Sequence, residues 1–428
     1  MKTASIPRIL QPSPSFLEES SALGIDRRQA WAKWQELGLP GPHMEGWKYT
    51  NLRGLNDLSP ISPVLDVPAL PRIKGTATAV LVDGVFRSDL SDLDNLPAGL
   101  VVKSLKQALS EASDPGKVFG QILKTAGASP SEQALTSLNT AMFADGLFVH
   151  VPAHVASNRP LHIILCGLAS VRHPRLFFQM DEGARLDIIE TAVGKGAGFT
   201  NLLTEINIAK SASLQHLIVQ AESIVGFHVA YQAAHLAQGA RYNAFVLQQG
   251  ARVARREMSV LLGGVDARAT SDALLMGTDG NHLDLTSFID HAAPHTLSDS
   301  VVRMVLDESA RGVFQGKVLV RPDSQKVDGN QLAKALLLSR SAEADIKPEL
   351  EIYADDVKCS HGAAVGELDE AQLFYLMTRG LSKAEARQLL IQAFFAEILE
   401  RLPEGILRTV AETRVSTWLS TAWKAGVP

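Results

Sequence analysis

The chain has 428 residues, of which 46% are hydrophobic and 20% are charged, a composition typical of folded globular proteins. This length allows a large core and two or three substructures. The formal net charge of −5 at pH 7 gives no general attraction to nucleic acid or anionic lipid, so we expect neither as a partner.

Cysteine content and the N-terminus indicate the compartment. Two cysteines, Cys166 and Cys359, are too few for a disulfide framework in so long a chain, and they favour a reducing compartment. Residues 1–7 lack the apolar run of a signal peptide, and no apolar stretch approaches the roughly 18 residues that cross a bilayer. We therefore expect a cytoplasmic protein without membrane contact.

The N-terminal region, residues 1–75, is predicted to be helical. Apolar residues recur at three- and four-residue steps over residues 27–39, which predicts an amphipathic helix. The aromatic block at residues 47–50 is interpreted as packing against a core, with a recognition surface as the alternative. Prolines clustered over residues 60–71 indicate a linker.

Residues 76–145 are predicted to form a mixed α/β cap. The apolar run at residues 79–82 predicts a strand, and a helix is predicted around residues 104–110. We expect this cap to cover one end of the region that follows.

From residue 146 to 365 the pattern changes to short apolar or alternating runs, which indicates a mainly β fold. Such runs include residues 161–165, 175–178, 186–190, 214–219 and 242–247. Gly-Ala-Arg occurs at residues 183–185, 239–241 and 250–252, and Ala-Arg again at 267–268 and 310–311. Because small turn residues that precede successive strands fit stacked coils, the pattern favours a solenoid over a sandwich or barrel.

Charged residues in this region are expected on its surface. We interpret Arg252, Arg255, Arg256 and Glu257 as part of a solvated outer face. Three histidines lie near Asp284 and Asp290 and could bind a metal, but loop histidines beside acids are more often exposed to solvent, and exposure is the expectation for His282, His291 and His295.

Residues 366–428 are predicted to form a C-terminal helical domain. Residues 368–378 have helical periodicity, and Ser382 with Glu385 forms a capping box that opens the next helix. A last helix is predicted to include Leu407, Val410, Trp418 and Trp423. Amphipathic helices of this kind need a partner surface, either the solenoid or another protein.

Cys359 and His361 are the candidate metal ligands. An alternating run at residues 349–353 predicts a strand, and if that strand continues, the two side chains share a face. Sulfur and imidazole ligands suit zinc or iron, but two donors are only half of a tetrahedral set. The alternative is a buried thiol beside a surface histidine.

The absence of several nucleotide-binding and catalytic motifs reduces the number of function classes to consider. The chain has no Gly-x-x-x-x-Gly-Lys-[Ser/Thr] sequence, so we do not expect it to hydrolyse ATP. It also lacks Gly-x-Ser-x-Gly, His-Glu-x-x-His and paired Cys-x-x-Cys motifs, and we expect no enzymatic activity. With two distant cysteines, we do not expect the chain to hold a four-thiolate cluster alone, and something else must complete the ligand set.

Several motifs together resemble the SufD branch of the SufB/SufD family, which serves iron–sulfur cluster assembly in the SUF system. The resemblance rests on Trp47-Lys48-Tyr49-Thr50-Asn51-Leu52, on Asp290-His291 with Pro294-His295, and on the segments at residues 313–317, 323–331, 336–339, 347–363, 373–376 and 379–380. In SufB a scaffold cysteine is expected before the final strands. Residues 328–339 contain none, which favours the SufD branch.

The resemblance implies a fold and a set of partners. It implies a right-handed parallel β-helix core, pairing with SufB through the terminal strands, and docking of the ATPase SufC on the C-terminal helical domain. It further implies that iron or a nascent iron–sulfur cluster is held transiently at the SufB–SufD interface, with His361 as the first ligand and Cys359 as the second. The pattern does not assign a flavin.

Two other functions are compatible with parts of this pattern. One is a purely structural interaction subunit in which Cys359 and His361 only pack. The other is a polysaccharide-active β-helix enzyme, which the absence of a signal peptide disfavours. A homodimer is also possible when SufB is missing, because exposed terminal strands favour edge pairing.

Overall fold

The fold is described by a computed structural model that covers residues 7–11, 27–58, 67–111, 120–125, 130–169 and 171–422. The predicted position of Trp423 and most of the proline-rich linker lie outside these residues. Within them, no helix combines the length and the apolar character needed to cross a membrane.

The described residues form twenty β-strands and seven α-helices. The strands are β1 (Ala77–Val82), β2 (Val85–Phe86), β3 (Val101–Ser104), β4 (Leu147–Val151), β5 (Leu161–Gly167), β6 (Val171–Arg172), β7 (Arg175–Met180), β8 (Arg185–Gly194), β9 (Phe199–Ile208), β10 (Ser213–Gln220), β11 (Phe227–Leu236), β12 (Arg241–Gln248), β13 (Val253–Leu262), β14 (Arg268–Gly277), β15 (His282–His291), β16 (Leu297–Leu306), β17 (Arg311–Val320), β18 (Asp328–Leu337), β19 (Glu343–Ile352) and β20 (Lys358–Glu367). The helices are α1 (Arg27–Leu37), α2 (Leu105–Glu111), α3 (Gln121–Thr125), α4 (Pro130–Met142), α5 (Glu370–Thr378), α6 (Lys383–Leu399) and α7 (Ile406–Ala422).

The strands form two sheets that face each other. Sheet A has the order β2-β1-β5-β8-β10-β12-β14-β16-β18-β20, and sheet B has the order β19-β17-β15-β13-β11-β9-β7-β4-β3. From β8 onward the chain alternates between the sheets, and each strand pairs in parallel with the strand two places further along. The predicted mainly β chain, with a parallel β-helix between helical ends, is confirmed.

The turns explain the Gly-Ala-Arg repeat. Arg185, Ser213, Arg241 and Arg268 are aligned as the first residues of β8, β10, β12 and β14, so these coils are 27 or 28 residues long. Two residues before each of these strands the chain has a positive φ, as at Gly183 (67°) and Gly239 (64°), where glycine adopts the conformation without strain. The third copy ends at Arg252, directly before β13 of sheet B, which is why the repeat is irregular in sequence.

Four hydrophobic clusters hold the architecture together. Alternate residues of both sheets fill the lumen of the solenoid. Helices α6 and α7 cover the outer face of sheet A, and Arg303 on β16 adds an ion pair to Glu397 on α6, with 2.8 Å between nitrogen and oxygen. Residues of α1, α4 and the Trp47 segment cover one part of the outer face of sheet B, and α2 and α3 cover another. The predicted packing of Trp47 is therefore confirmed.

The predicted solvated face at residues 252–257 is wrong for three of its four residues. Arg252 is exposed, but Arg255, Arg256 and Glu257 are buried. Arg256 points into the lumen, where its Nη2 donates to Glu190 Oε1 of β8 at 2.8 Å. Burying these charges is tolerated because partners from distant strands compensate them.

The Glu190–Arg256 pair belongs to a small polar cluster inside the lumen. Glu190 Oε2 lies 3.5 Å from His216 Nε2, and His216 Nδ1 lies 3.1 Å from the hydroxyl of Tyr242. The Gln232 amide also donates to that hydroxyl, at 2.7 Å. Burial alone would raise the pKa of Glu190, but Arg256 and His216 outweigh it and lower the pKa to about 2.

The expectation that His282, His291 and His295 are solvent-exposed loop residues is wrong for two of the three. His282 and His291 are the first and last residues of β15, and only His295 lies exposed in a turn. His291 is buried, with Nδ1 at 2.7 Å from Thr296 Oγ1 and Nε2 at 2.9 Å from Ser298 Oγ. His282 Nε2 contacts Thr50 Oγ1 at 2.7 Å, so both histidines hold neighbouring segments in place.

Candidate functional site at the open end of the solenoid

Cys359 and His361 lie on β20, the last strand of sheet A. The predicted strand at residues 349–353 does not continue to them, because β19 ends at Ile352 and the chain crosses to the other sheet. They still share a face, since they are two residues apart within β20. In register they neighbour Gly329 and Gln331 of β18, both of which are buried on the lumen side.

Cys359 is a half-buried free thiol that packs against the lumen cluster. Burial raises the pKa of this thiol, and the Asp328 carboxylate adds to the effect. A metal binds the thiolate rather than the thiol, so binding at Cys359 would have to drive off the proton. The packing role left open by the sequence is therefore visible, and in a ligand role the bound metal ion would itself have to displace the proton.

His361 is exposed at the end of the lumen. Strand alternation directs its side chain to the lumen side, as at Cys359, and it is exposed because β20 is the last strand of sheet A and no further coil among the described residues covers this end. Within the described ranges, no three His, Cys, Asp or Glu side chains come together in a group that could hold a metal ion. The described part of this chain therefore brings only two potential donors, Cys359 and His361, to this face.

The last coil also leaves strand edges and apolar side chains uncovered. Among the described residues, β19 pairs only with β17 and β20 pairs only with β18, so each has a free edge. Ile352, Tyr353 and Val365 are exposed in this coil. Free edges that carry exposed apolar residues are suited to pairing with another polypeptide.

The C-terminal helices provide a second uncovered surface. Ser382 and Glu385 form the predicted capping box, and α6 begins at Lys383 as expected. Helix α5 exposes Phe374 and Tyr375, whose side chains are 68% and 55% accessible. Exposed aromatic residues on a helix are typical of a protein interaction site.

An N-terminal strap, residues 45–51, lies across the outer face of sheet B. The Arg255 guanidinium lies 4.2 Å from the centre of the Trp47 ring, and Arg255 Nη2 donates to Gly46 O at 2.7 Å. Glu45 pairs with Lys347 of β19 at 3.0 Å, so the strap reaches the last coil. Sequence analysis missed this contact, although charged residues inside an apolar strand pattern were a signal that could have indicated it.

Arg255 is at the centre of a buried charge cluster beneath the strap. It contacts the carboxylates of Glu257 and Asp284, the first of them at 2.7 Å between Nε and Oε1. Thr50 donates a hydrogen bond to Asp284 as well, so the threonine of the N-terminal motif joins the strap to β15. The N-terminal motif therefore has a structural role next to the terminal coil.

The architecture is that of a two-sheet β-solenoid with an uncovered terminal coil and helical flanks. Residues 164–394 match the family described as SUF system FeS cluster assembly, SufBD core domain, and residues 66–163 match the SufBD protein N-terminal region. The chain belongs to the SufBD family, which the matching description assigns to iron–sulfur cluster assembly by the SUF system.

Curated relatives agree with this assignment. The chain is 30% identical to an iron–sulfur cluster assembly SufBD family protein of Synechocystis over 423 residues, which cover 92% of each chain. It is 30% identical to the iron–sulfur cluster assembly protein SufD of Escherichia coli over 394 residues, covering 89% of this chain and 90% of the relative. The SufD protein of Bacillus subtilis is 27% identical over 424 residues, with coverage of 91% and 93%.

Proposed function

We propose that this chain is a non-ATPase scaffold subunit that takes the SufD position in a SufB–SufC–SufD complex. It pairs with SufB through the free edges of β19 and β20 and docks SufC on its C-terminal helices. Iron or a nascent cluster, which is the cargo of the complex, is held between the subunits by His361 first and Cys359 second. The terminal coil supports this proposal, because it presents an exposed histidine beside a half-buried thiol on a strand with one free edge.

The division of ligands between two chains follows from coordination chemistry. Iron and zinc sites usually need about four donors, whereas β20 supplies a thiol and an imidazole on one face. A partner strand added at the free edge of β20 would bring its own side chains beside them at a spacing of about 4.8 Å. Cargo bound in this way is released when the subunits separate, which suits a protein that assembles clusters for transfer.

Replacing His361 with alanine tests the ligand role. The chain is produced together with SufB and SufC, the complex is purified, and its iron and acid-labile sulfide are measured. We expect H361A to bind iron at least about tenfold more weakly, because an open site has no spare protein donor. The matched control is H154A, an exposed histidine in the turn after β4, towards the other end of the solenoid.

Assembly of the variant complex is checked by gel filtration before its metal is measured. An intact H361A complex with unchanged iron and sulfide would contradict the ligand role and favour the purely structural subunit. The half-buried position of Cys359 is the observation that supports this second function for that residue. C359A that assembles normally and retains its iron would show that Cys359 only packs.

Replacing Phe374 with serine tests the docking surface for SufC. We expect F374S to weaken capture of SufC by about tenfold or more, because truncating an exposed aromatic anchor at an interface commonly costs about 2 kcal/mol. The control is I224S, which removes another exposed apolar side chain, in the turn between β10 and β11. Equal binding of SufC by wild type and F374S, measured by calorimetry, would place the contact elsewhere.

A further inference from the structure

A groove of about 690 Å³ lies between residues 71–74, which precede β1, and helix α7. It is distant from the candidate metal site along sheet A, because β1 and β5 lie near one end of the strand order and β20 at the other. Its volume falls within the range of about 300–1,000 Å³ that is usual for small-molecule sites.

The groove is strongly cationic. Among the described residues, its lining includes Arg72, Lys74 and Arg414 but no aspartate or glutamate. In the part of the chain that the structure describes, none of the three cations forms an ion pair with a carboxylate, and Arg72 donates only to the Leu90 carbonyl, at 2.5 Å. Arg414 is half-buried, and burial lowers its pKa because no neighbouring charge compensates the guanidinium.

The wall of the groove is apolar. Ile73, Ile406 and Val410 line it and also pack against the cluster on the outer face of sheet A, so the wall is continuous with that core. The hydroxyls of Thr409 and Thr413, which also line the groove, donate to the backbone carbonyls of Gly405 and Thr409 at 3.1 and 2.7 Å. The charged side chains are therefore the donors available for recognition.

A buried histidine provides a second, independent observation. His162 of β5 is fully buried, with Nε2 at 2.9 Å from Thr191 Oγ1 and Nδ1 without a partner among the described residues. Burial, together with the positive charges of Arg414 and Arg72, lowers the pKa of His162 to about 4. This imidazole is neutral at neutral pH, so it does not compensate the two guanidinium groups that line the groove, whereas a bound anion would.

We propose that this groove binds a small amphiphilic organic anion. Its phosphate or carboxylate group contacts Arg72, Lys74 and Arg414, while its aromatic or aliphatic body packs on Ile73, Ile406 and Val410. An anion that is desolvated on one side by the apolar wall interacts more strongly with the cations than it would in water.

The test uses two dyes that differ by one charged group. The probe is 1-anilinonaphthalene-8-sulfonate, and its neutral counterpart is N-phenyl-1-naphthylamine, which lacks the sulfonate. Binding to the full chain is measured by fluorescence titration. We expect the anionic dye to bind at least tenfold more tightly than the neutral one, and this preference should shrink at high salt.

Variants locate the binding site. R414Q should weaken binding of the anionic dye about tenfold and leave the neutral dye unchanged, because one charge-assisted contact is lost. K74E reverses an exposed charge without disturbing the core and should give a similar loss, so it decides the question if R414Q folds poorly. The control F374S removes the exposed aromatic residue on α5 that could bind dyes on its own.

The proposal is overturned if the two dyes bind wild type equally. It is also overturned if K74E retains the affinity of wild type for the anionic dye, or if F374S alone abolishes binding. Loss in K74E and R414Q with normal binding in F374S supports it.

Discussion

Replacement of Arg255 by methionine is expected to lower the free energy of unfolding by about 3–5 kcal/mol, because it leaves buried carboxylates without a partner. The affected groups are Asp284 and Glu257, which both contact the guanidinium. Burial already raises the pKa of Glu257 with Arg255 present. The substitution also removes the cation from the Trp47 ring and the donor from Gly46 O, so the N-terminal strap should detach.

Urea unfolding and amide hydrogen exchange of residues 45–51 measure both effects. The matched control is R252M, which removes an exposed arginine three residues earlier and should change stability by about 0.5 kcal/mol or less. Adding D284N to R255M should restore part of the loss, because it removes one uncompensated charge. Stability of R255M within 1 kcal/mol of wild type, with the strap still protected, would show that the cluster is not what holds the strap.

Stability is expected to fall steeply as the pH drops from about 6.5 to 4, because buried histidines resist protonation in the folded state. Burial lowers the pKa of His162 and of His291 to about 4 and that of His173 to about 3. The unfolded chain takes up these protons near pH 6.5, whereas the folded chain does not. Each of these histidines therefore lowers the free energy of unfolding by about 1.4 kcal/mol per pH unit between pH 6.5 and its folded-state pKa. Above pH 6.5 it is neutral in both states and has no such effect.

His291 and His295 form a matched pair for this prediction. H291Q should reduce the slope of stability against pH by about one proton, since it removes a buried group that is neutral in the folded state. H295Q, at an exposed turn four residues away, controls for the loss of an imidazole that is not buried. Chemical denaturation at pH 7, 6 and 5 gives the slopes directly, and equal slopes for H291Q and wild type would contradict the assignment.

The sequence predicted those features that depend on neighbouring residues. The capping box at Ser382 located the start of α6, because its hydrogen bonds span only three residues. The turn residues before successive strands indicated coils, since a positive φ is a local requirement. The shared face of Cys359 and His361 followed from strand alternation, although the strand that carries them is not the one that was expected.

The local sequence pattern could not predict which charged residues are buried. Arg256 is buried because Glu190, 66 residues earlier, meets it across the lumen, and Arg255 is buried because the N-terminal strap covers it. The same holds for His291, which is enclosed by the turn before β16. A charged residue that has no oppositely charged partner nearby in the sequence is expected at the surface, since only a specific partner offsets the free-energy cost of removing the charge from water.

The sequence by itself determined that the chain is a β-rich protein with helical ends and a histidine–cysteine pair near the close of its strands. Only the tertiary structure decided that this pair lies on the terminal coil, with a free edge and an open lumen beside it. The reason is that strand alternation acts over two residues, whereas the end of a solenoid is defined by which strand has no further neighbour. That depends on pairing between strands about 30 residues apart.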